Sequence, residues 1–207
     1  MDVSHVAYFL AACVLLTLMP GPDILFVIMQ SISQGRKAGI ATALGLCSGV
    51  TVHTLAAALG ISAIIAQSAA LFHALKVAGA CYLLYLAWQA VREGHSALTA
   101  EAVPQLPLPE LYKRGILMNV LNPKVSLFFL AFLPQFVTPG AGSAAMQMIV
   151  LGLLFMLQAI VIFTIVAVFA GSLGRKLFDN PRIGRYVNLA KAGLFAFIGI
   201  RLVLPEE

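Results

Sequence analysis

A helix that crosses a lipid bilayer must satisfy its backbone polar groups within itself, and this chain breaks that requirement twice. Pro20-Gly21-Pro22-Asp23 and Asn122-Pro123-Lys124 each lie inside a long apolar run. Proline brings no N–H and obstructs the carbonyl four residues earlier. Lipid offers no water to the groups thus freed, so such a break survives only where protein or a polar cavity satisfies it. One break falls in each half of the chain, each beside an ionisable residue. The pairing points to binding of a small polar solute at membrane depth.

The chain has 207 residues, 61% hydrophobic and 10% charged, against roughly 25% charged in a soluble domain. A span takes about 20 mostly apolar residues, and six stretches qualify: 5–33, 39–66, 70–91, 114–137, 144–172 and 186–204. The expected fold is therefore an all-α membrane protein of six transmembrane helices, with helices one and four broken. It is read as a single transporter domain over 1–207: one repeat over 5–92, a cytoplasmic linker over 93–113 with Pro104, Pro107 and Pro109, and a second repeat over 114–204. No basic segment or small-residue cleavage site marks the first stretch as a leader, so it is expected to remain as a span.

The net charge of +5 is explained by topology. Connections after spans one, three and five carry Arg36 and Lys37, then Arg92, Lys113 and Arg114, then Arg175, Lys176, Arg182 and Arg185. Opposite them only Lys76 and Arg201 lie near span ends. The bias of basic residues toward the cytoplasm places both termini in the periplasm. No aromatic-basic reading surface accompanies the charge, so nucleic acid is not an expected partner. Cys13, Cys47 and Cys81 sit in apolar runs without metal spacing, the histidines form no cluster, and no metal or cofactor is expected.

The halves resemble each other. Pro22-Asp23 corresponds to Pro123-Lys124, and Leu75-x-x-Ala78-Gly79 in span three corresponds to Leu189-x-x-Ala192-Gly193 in span six. An odd number of spans per half makes the second copy enter from the opposite face, giving two inverted three-helix repeats, an architecture that supports alternating access. Short matches in apolar sequence also arise by coincidence.

At each break the proline can start a second half-helix whose first amides lack intrahelical partners and carry the positive end of the helix dipole, suited to a carboxylate. Asp23 suits an ammonium, a proton or the facing Lys124. Placing Lys or Asp near a helix centre costs about 2.5–3.5 kcal/mol. Substrate binding justifies that cost; so would a structural ion pair, or a Lys124 that reaches the cytoplasmic interface. The candidate substrate-binding set is Pro20, Gly21, Pro22, Asp23, Asn119, Asn122, Pro123, Lys124 and Gln158. Asp23 and His53 are the candidate proton carriers, His53 because imidazole titrates near neutrality, although a histidine hydrogen-bonded between helices would be structural. Gly45, Gly49, Gly79 and Gly193 are read as helix-packing positions. Gly45, Gly49 and His53 share one helical face with Ala41 and Ala57, and such close-packing glycine faces leave a homodimer open. Tyr82, Tyr85 and Trp88 read as packing and interfacial anchors.

These residues together resemble the lysine exporter and homoserine/threonine resistance family of bacterial inner-membrane amino-acid exporters. The likeness rests on PGPD at 20–23, the G-x-x-x-G-x-x-x-H series at 45–53, LKVAGACYLLYLAWQ at 75–89 and NPKVSLFFLAFLPQF at 122–136. It implies secondary export of amino acids, driven by protons, with neutral substrates such as homoserine, threonine or leucine. Where relatives carry an acidic residue in span five, this chain has Gln158, which moves the expected proton carrier to Asp23 or His53. A passive channel, or a membrane-embedded enzyme using Asp23, His53 and Lys124, are the competing classes. No nucleophile elbow or H-E-x-x-H sequence supports an enzyme, and no phosphate-binding loop supports ATP drive.

Overall fold

The computed structural model describes residues 3–19, 21–61, 68–92, 105–138, 140–178, 189, 192–193 and 195–200. Among them every regular element is helical. Helix α1 (Val3–Leu18) leads to the first break and α2 (Pro22–Gln34) leaves it, the two axes bent by 54°. Helix α3 (Arg36–Ala56) runs into a π-helical turn, Ala57–Ile61, and α4 spans Ala69–Arg92. Helix α5 (Leu108–Val120) meets the second break. The short α6 (Pro123–Leu127) follows and continues as a π-helical turn (Phe128–Phe132) and a 3-10 turn (Leu133–Phe136). The bend there is 50°. Helix α7 covers Ala144–Phe178.

Local sequence explains the boundaries. Proline opens α2 and α6 because the first helical position has no use for an N–H. Gly35 makes the turn between α2 and α3 at φ 86, a left-handed conformation that a side chain disfavours. Pro107 and Pro109 do not extend the linker as expected. They bracket the first residue of α5, with Glu110 in its first turn and Arg114 one turn on, 3.6 Å away. Residues 108–113 are thus helix rather than linker.

Three unbroken helices are long and apolar enough to cross a membrane, Arg36–Ile61, Ala70–Arg92 and Ala144–Ala170, and the two bent pairs bring the number to five among the described residues. Most of the expected sixth span, 186–204, lies outside them. Between Met148 and Ala170, Gln158 and Thr164 aside, helix α7 is apolar on both faces. Met148, Leu151, Phe155, Ala159, Phe163 and Ala167 are buried at spacings of three and four, while Leu153, Leu157, Val161 and Ile165 are exposed on the opposite face. Apolar side chains on both faces are what a lipid-facing helix requires.

Helix α3 is the hub, packed on α5, α7 and α2. Its small-residue face is pressed against α5. A methyl group at Gly45 would meet the Tyr112 backbone carbonyl, one at Gly115 would lie 2.6 Å from the Thr42 oxygen, and one at Gly49 would lie 3.0 Å from the Ile116 oxygen. Glycine therefore sits on both helices at the crossing, which brings the backbones into contact. Gly79 is buried in α4. Gly193 differs from expectation: it is exposed, and a methyl group there would meet nothing within 4 Å among the described residues. The packing glycine of that last segment is Gly199, 3.2 Å in the same sense from the Ala80 oxygen. On α4, Tyr82, Tyr85 and Trp88 form an outward ladder that ends in Arg92, 4.6 Å over the Trp88 ring.

Candidate functional site

The two breaks meet. Proline at 20 cannot donate to the Leu16 oxygen, and Pro123 cannot donate to the Asn119 oxygen, so each break frees a carbonyl four residues upstream. Each freed oxygen is taken by a side chain from the other half of the chain. Lys124 Nζ donates to the Leu16 oxygen at 3.3 Å, and His53 Nε2 lies 3.0 Å from the Asn119 oxygen. A carbonyl only accepts, so His53 carries its hydrogen on Nε2 in this contact. The Asn122 amide nitrogen also donates to the Asn119 oxygen, at 2.9 Å.

Asn122 joins the breaks directly. Its Nδ2 donates to Asp23 Oδ2 at 2.6 Å, and its Oδ1 accepts from the Lys124 backbone N–H at 3.0 Å as an N-cap. The Val125 and Ser126 amides donate to the Asn122 carbonyl. The first amides after the second break are therefore satisfied by Asn122 rather than offered to a carboxylate, contrary to the half-helix expectation at that break. The Lys124 ammonium, donating to the Leu16 oxygen, brings a positive charge to the site. Gly21 stands beside it; a methyl group there would come to 3.4 Å of Nζ.

Asp23 and Asn119 are each 3% exposed and Lys124 is 8% exposed. All three line one cavity with Thr17, and the apolar remainder includes Val50, Phe155, Ala159 and Phe163. Its volume is ≈ 10 Å³, room for about one water molecule. Gln158 stands one contact away: its Nε2 donates to Thr17 Oγ1 at 2.9 Å and to the Phe155 oxygen at 3.0 Å. Three acceptors around this region are buried without a hydrogen-bond partner among the described residues, namely Asp23 Oδ1, Asn119 Oδ1 and Gln158 Oε1. Buried polar atoms are nearly always paired, so three unpaired acceptors in one neighbourhood mark a place for a donor.

An aromatic cluster adjoins the cavity through its lining residue Phe155. Phe155 packs on Phe128 and Phe129 at 5.4 and 5.2 Å between ring centres, and Phe128 and Phe132 continue to Phe9 and Phe136. His53 faces Phe129 at 5.9 Å.

The structure thus gathers Asp23, His53, Asn119, Asn122 and Lys124, keeps Gln158 at one remove, and sets Gly21, Pro22 and Pro123 at the breaks. Pro20 lies outside the described residues. Thr17, Val50, Phe155, Ala159 and Phe163 join the site without being among the residues expected from the sequence. Their i, i+4 spacing on α7 and proximity to Pro20 on α1 were the available signals. No group of three or more His, Cys, Asp or Glu residues suited to a metal occurs among the described residues.

Comparison with known proteins places this geometry in a family. The chain is 33% identical over 201 residues to a threonine efflux protein of Escherichia coli (strain K12), covering 90% of this chain and 91% of that one. It is 29% identical to a homoserine/homoserine lactone efflux protein of Salmonella typhimurium, covering 94% and 93%. It is 30% identical over its full length to an uncharacterized membrane protein of Vibrio cholerae. No solved structure gives a significant match. The model of the LysE type translocator family matches residues 14–206, and the chain belongs to that family of membrane translocators.

Proposed function

We propose that this protein is a secondary exporter of amino acids across the inner membrane, driven by the proton gradient. Its substrates are neutral amino acids such as homoserine, threonine or leucine. The zwitterion lies between the breaks, its carboxylate on the Lys124 ammonium and its amino group on Asp23. The single observation that carries the reading is the juxtaposition of a buried carboxylate that has one oxygen unpartnered and a buried ammonium in the same cavity. Intramembrane charges of this kind are costly and mark solute or ion paths. The relatives named for threonine efflux and for homoserine and homoserine lactone efflux support the substrate class. Homoserine and its lactone share an amino group and not a carboxylate, which favours the Asp23 end as the principal handle.

In this reading the chain has six spans in two inverted repeats, with both termini periplasmic, and the repeats rock about the joined breaks to expose the site to either side. Purified protein in proteoliposomes should accumulate a labelled neutral amino acid against its gradient, and an uncoupler should abolish the accumulation. Flux that only follows the solute gradient would replace the exporter with a channel. Lys124→Met should abolish saturable transport while inserting normally; full transport by this variant would remove Lys124 from the site.

A further inference from the structure

We propose that the side-chain carbonyl of Asn119, seated by Gly49, is a second acceptor for the substrate's ammonium group and makes the site select α-amino acids over their α-hydroxy analogues. The inference rests on the zwitterion reading above and deepens it. An ammonium carries three donors and no acceptor. Asp23 offers one of them Oδ1, its other oxygen already accepting from Asn122 at 2.6 Å. Asn119 Oδ1 is buried without a partner among the described residues and belongs to a residue that lines the same cavity. Two buried acceptors without donors are costly to maintain, and a donor-only cation settles both at once. A hydroxyl offers one hydrogen and cannot serve the pair.

The position of Asn119 is held from two sides by α3. A methyl group at Gly49 would lie 2.8 Å from Asn119 Cβ and 2.9 Å from Oδ1, so glycine is what lets this side chain lie against the helix. One turn on, His53 binds the Asn119 backbone oxygen at 3.0 Å. An asparagine kept for packing alone would spend its side-chain carbonyl on a neighbouring donor. Here the backbone oxygen does the structural bonding and the side-chain oxygen is left over.

The test is competition in proteoliposomes: labelled L-threonine, L-homoserine or L-leucine against unlabelled amino acid or its 2-hydroxy analogue. Wild-type protein should prefer the amine. Asn119→Ala leaves the backbone contact to His53 intact and should weaken amine binding about ten- to a hundredfold, the loss expected for a hydrogen bond to a charged group, with the hydroxy analogue little changed. Asn119→Asp keeps an acceptor and should retain the preference, which tests the idea even if the alanine variant fails to insert. Equal weakening of amine and hydroxy acid by Asn119→Ala, or loss of the preference in a folded Asn119→Asp, would overturn the assignment. If wild-type protein binds none of the three amino acids, the functional reading itself fails; if wild type binds them and Asn119→Ala keeps the full amine preference, only the role of Asn119 falls.

Discussion

Asn122 carries the junction between the two breaks, and its removal can be worked out contact by contact. In Asn122→Leu the side-chain volume is nearly kept while both polar bonds go. Loss of the N-cap to the Lys124 amide, at 3.0 Å, costs about 1 kcal/mol. Loss of the 2.6 Å bond to Asp23 leaves a buried carboxylate with neither oxygen bonded to a side chain, since Oδ1 already lacks a partner; that costs about 1–3 kcal/mol. The sum is about 2–4 kcal/mol. Asn122→Ser separates the two contributions. Serine caps a helix as well as asparagine does but is too short to keep the Asp23 bond, so it should lose only the second part. The chain supplies its own reporter, because Cys13 and Cys47 are buried. A thiol-reactive dye followed through thermal unfolding in detergent should therefore give midpoints in the order wild type, Ser, Leu. A Leu variant that unfolds with the wild type, or a Ser variant no more stable than Leu, would refute the assignment of Asn122 as the link between the breaks.

Other expectations follow from the packing and capping contacts. Gly115→Val should destabilise the protein by about 1–3 kcal/mol by overpacking the α3–α5 crossing, whereas Gly193→Ala, with nothing within 4 Å of the new methyl, should be neutral or slightly stabilising on the same thermal assay. His53→Leu should lose about 0.6–1.7 kcal/mol for its interhelical bond, and His53→Gln, which keeps a donor, should lose less. If His53→Gln also retains pH-driven transport, the proton is carried elsewhere and Asp23 becomes the candidate.

Proline made both breaks legible because its missing N–H is a property of the residue itself and needs no tertiary context. The same holds for the small-residue face of α3, which its spacing of four reveals. The partners that satisfy the breaks were hidden for a physical reason. Lys124 and His53 bond to backbone oxygens of Leu16 and Asn119, and a carbonyl acceptor has no side-chain identity that a sequence can display. Gly115 and Gly199 carry no such mark because their role depends on what crosses them, and Gly193 shares the sequence surroundings of Gly79 although no described atom comes within 4 Å of a methyl placed there. Pro107 and Pro109 read as linker residues because a proline that ends a helix and one that begins it are the same letter, and the apolar period only begins beyond them. The π-helical turns at Ala57–Ile61 and Phe128–Phe132 have no composition of their own.

The narrowness of the cavity sets a threshold on traffic. An amino acid is several times larger than the single water for which ≈ 10 Å³ leaves room, so under the proposed function cargo would enter only in the fraction of molecules whose helices have parted. Apparent affinity is reduced in proportion to that fraction. Under the proposed function, a carrier built this way would stay almost idle while its cargo is scarce and respond when the pool overflows, a relief valve for surplus rather than a drain on ordinary supply.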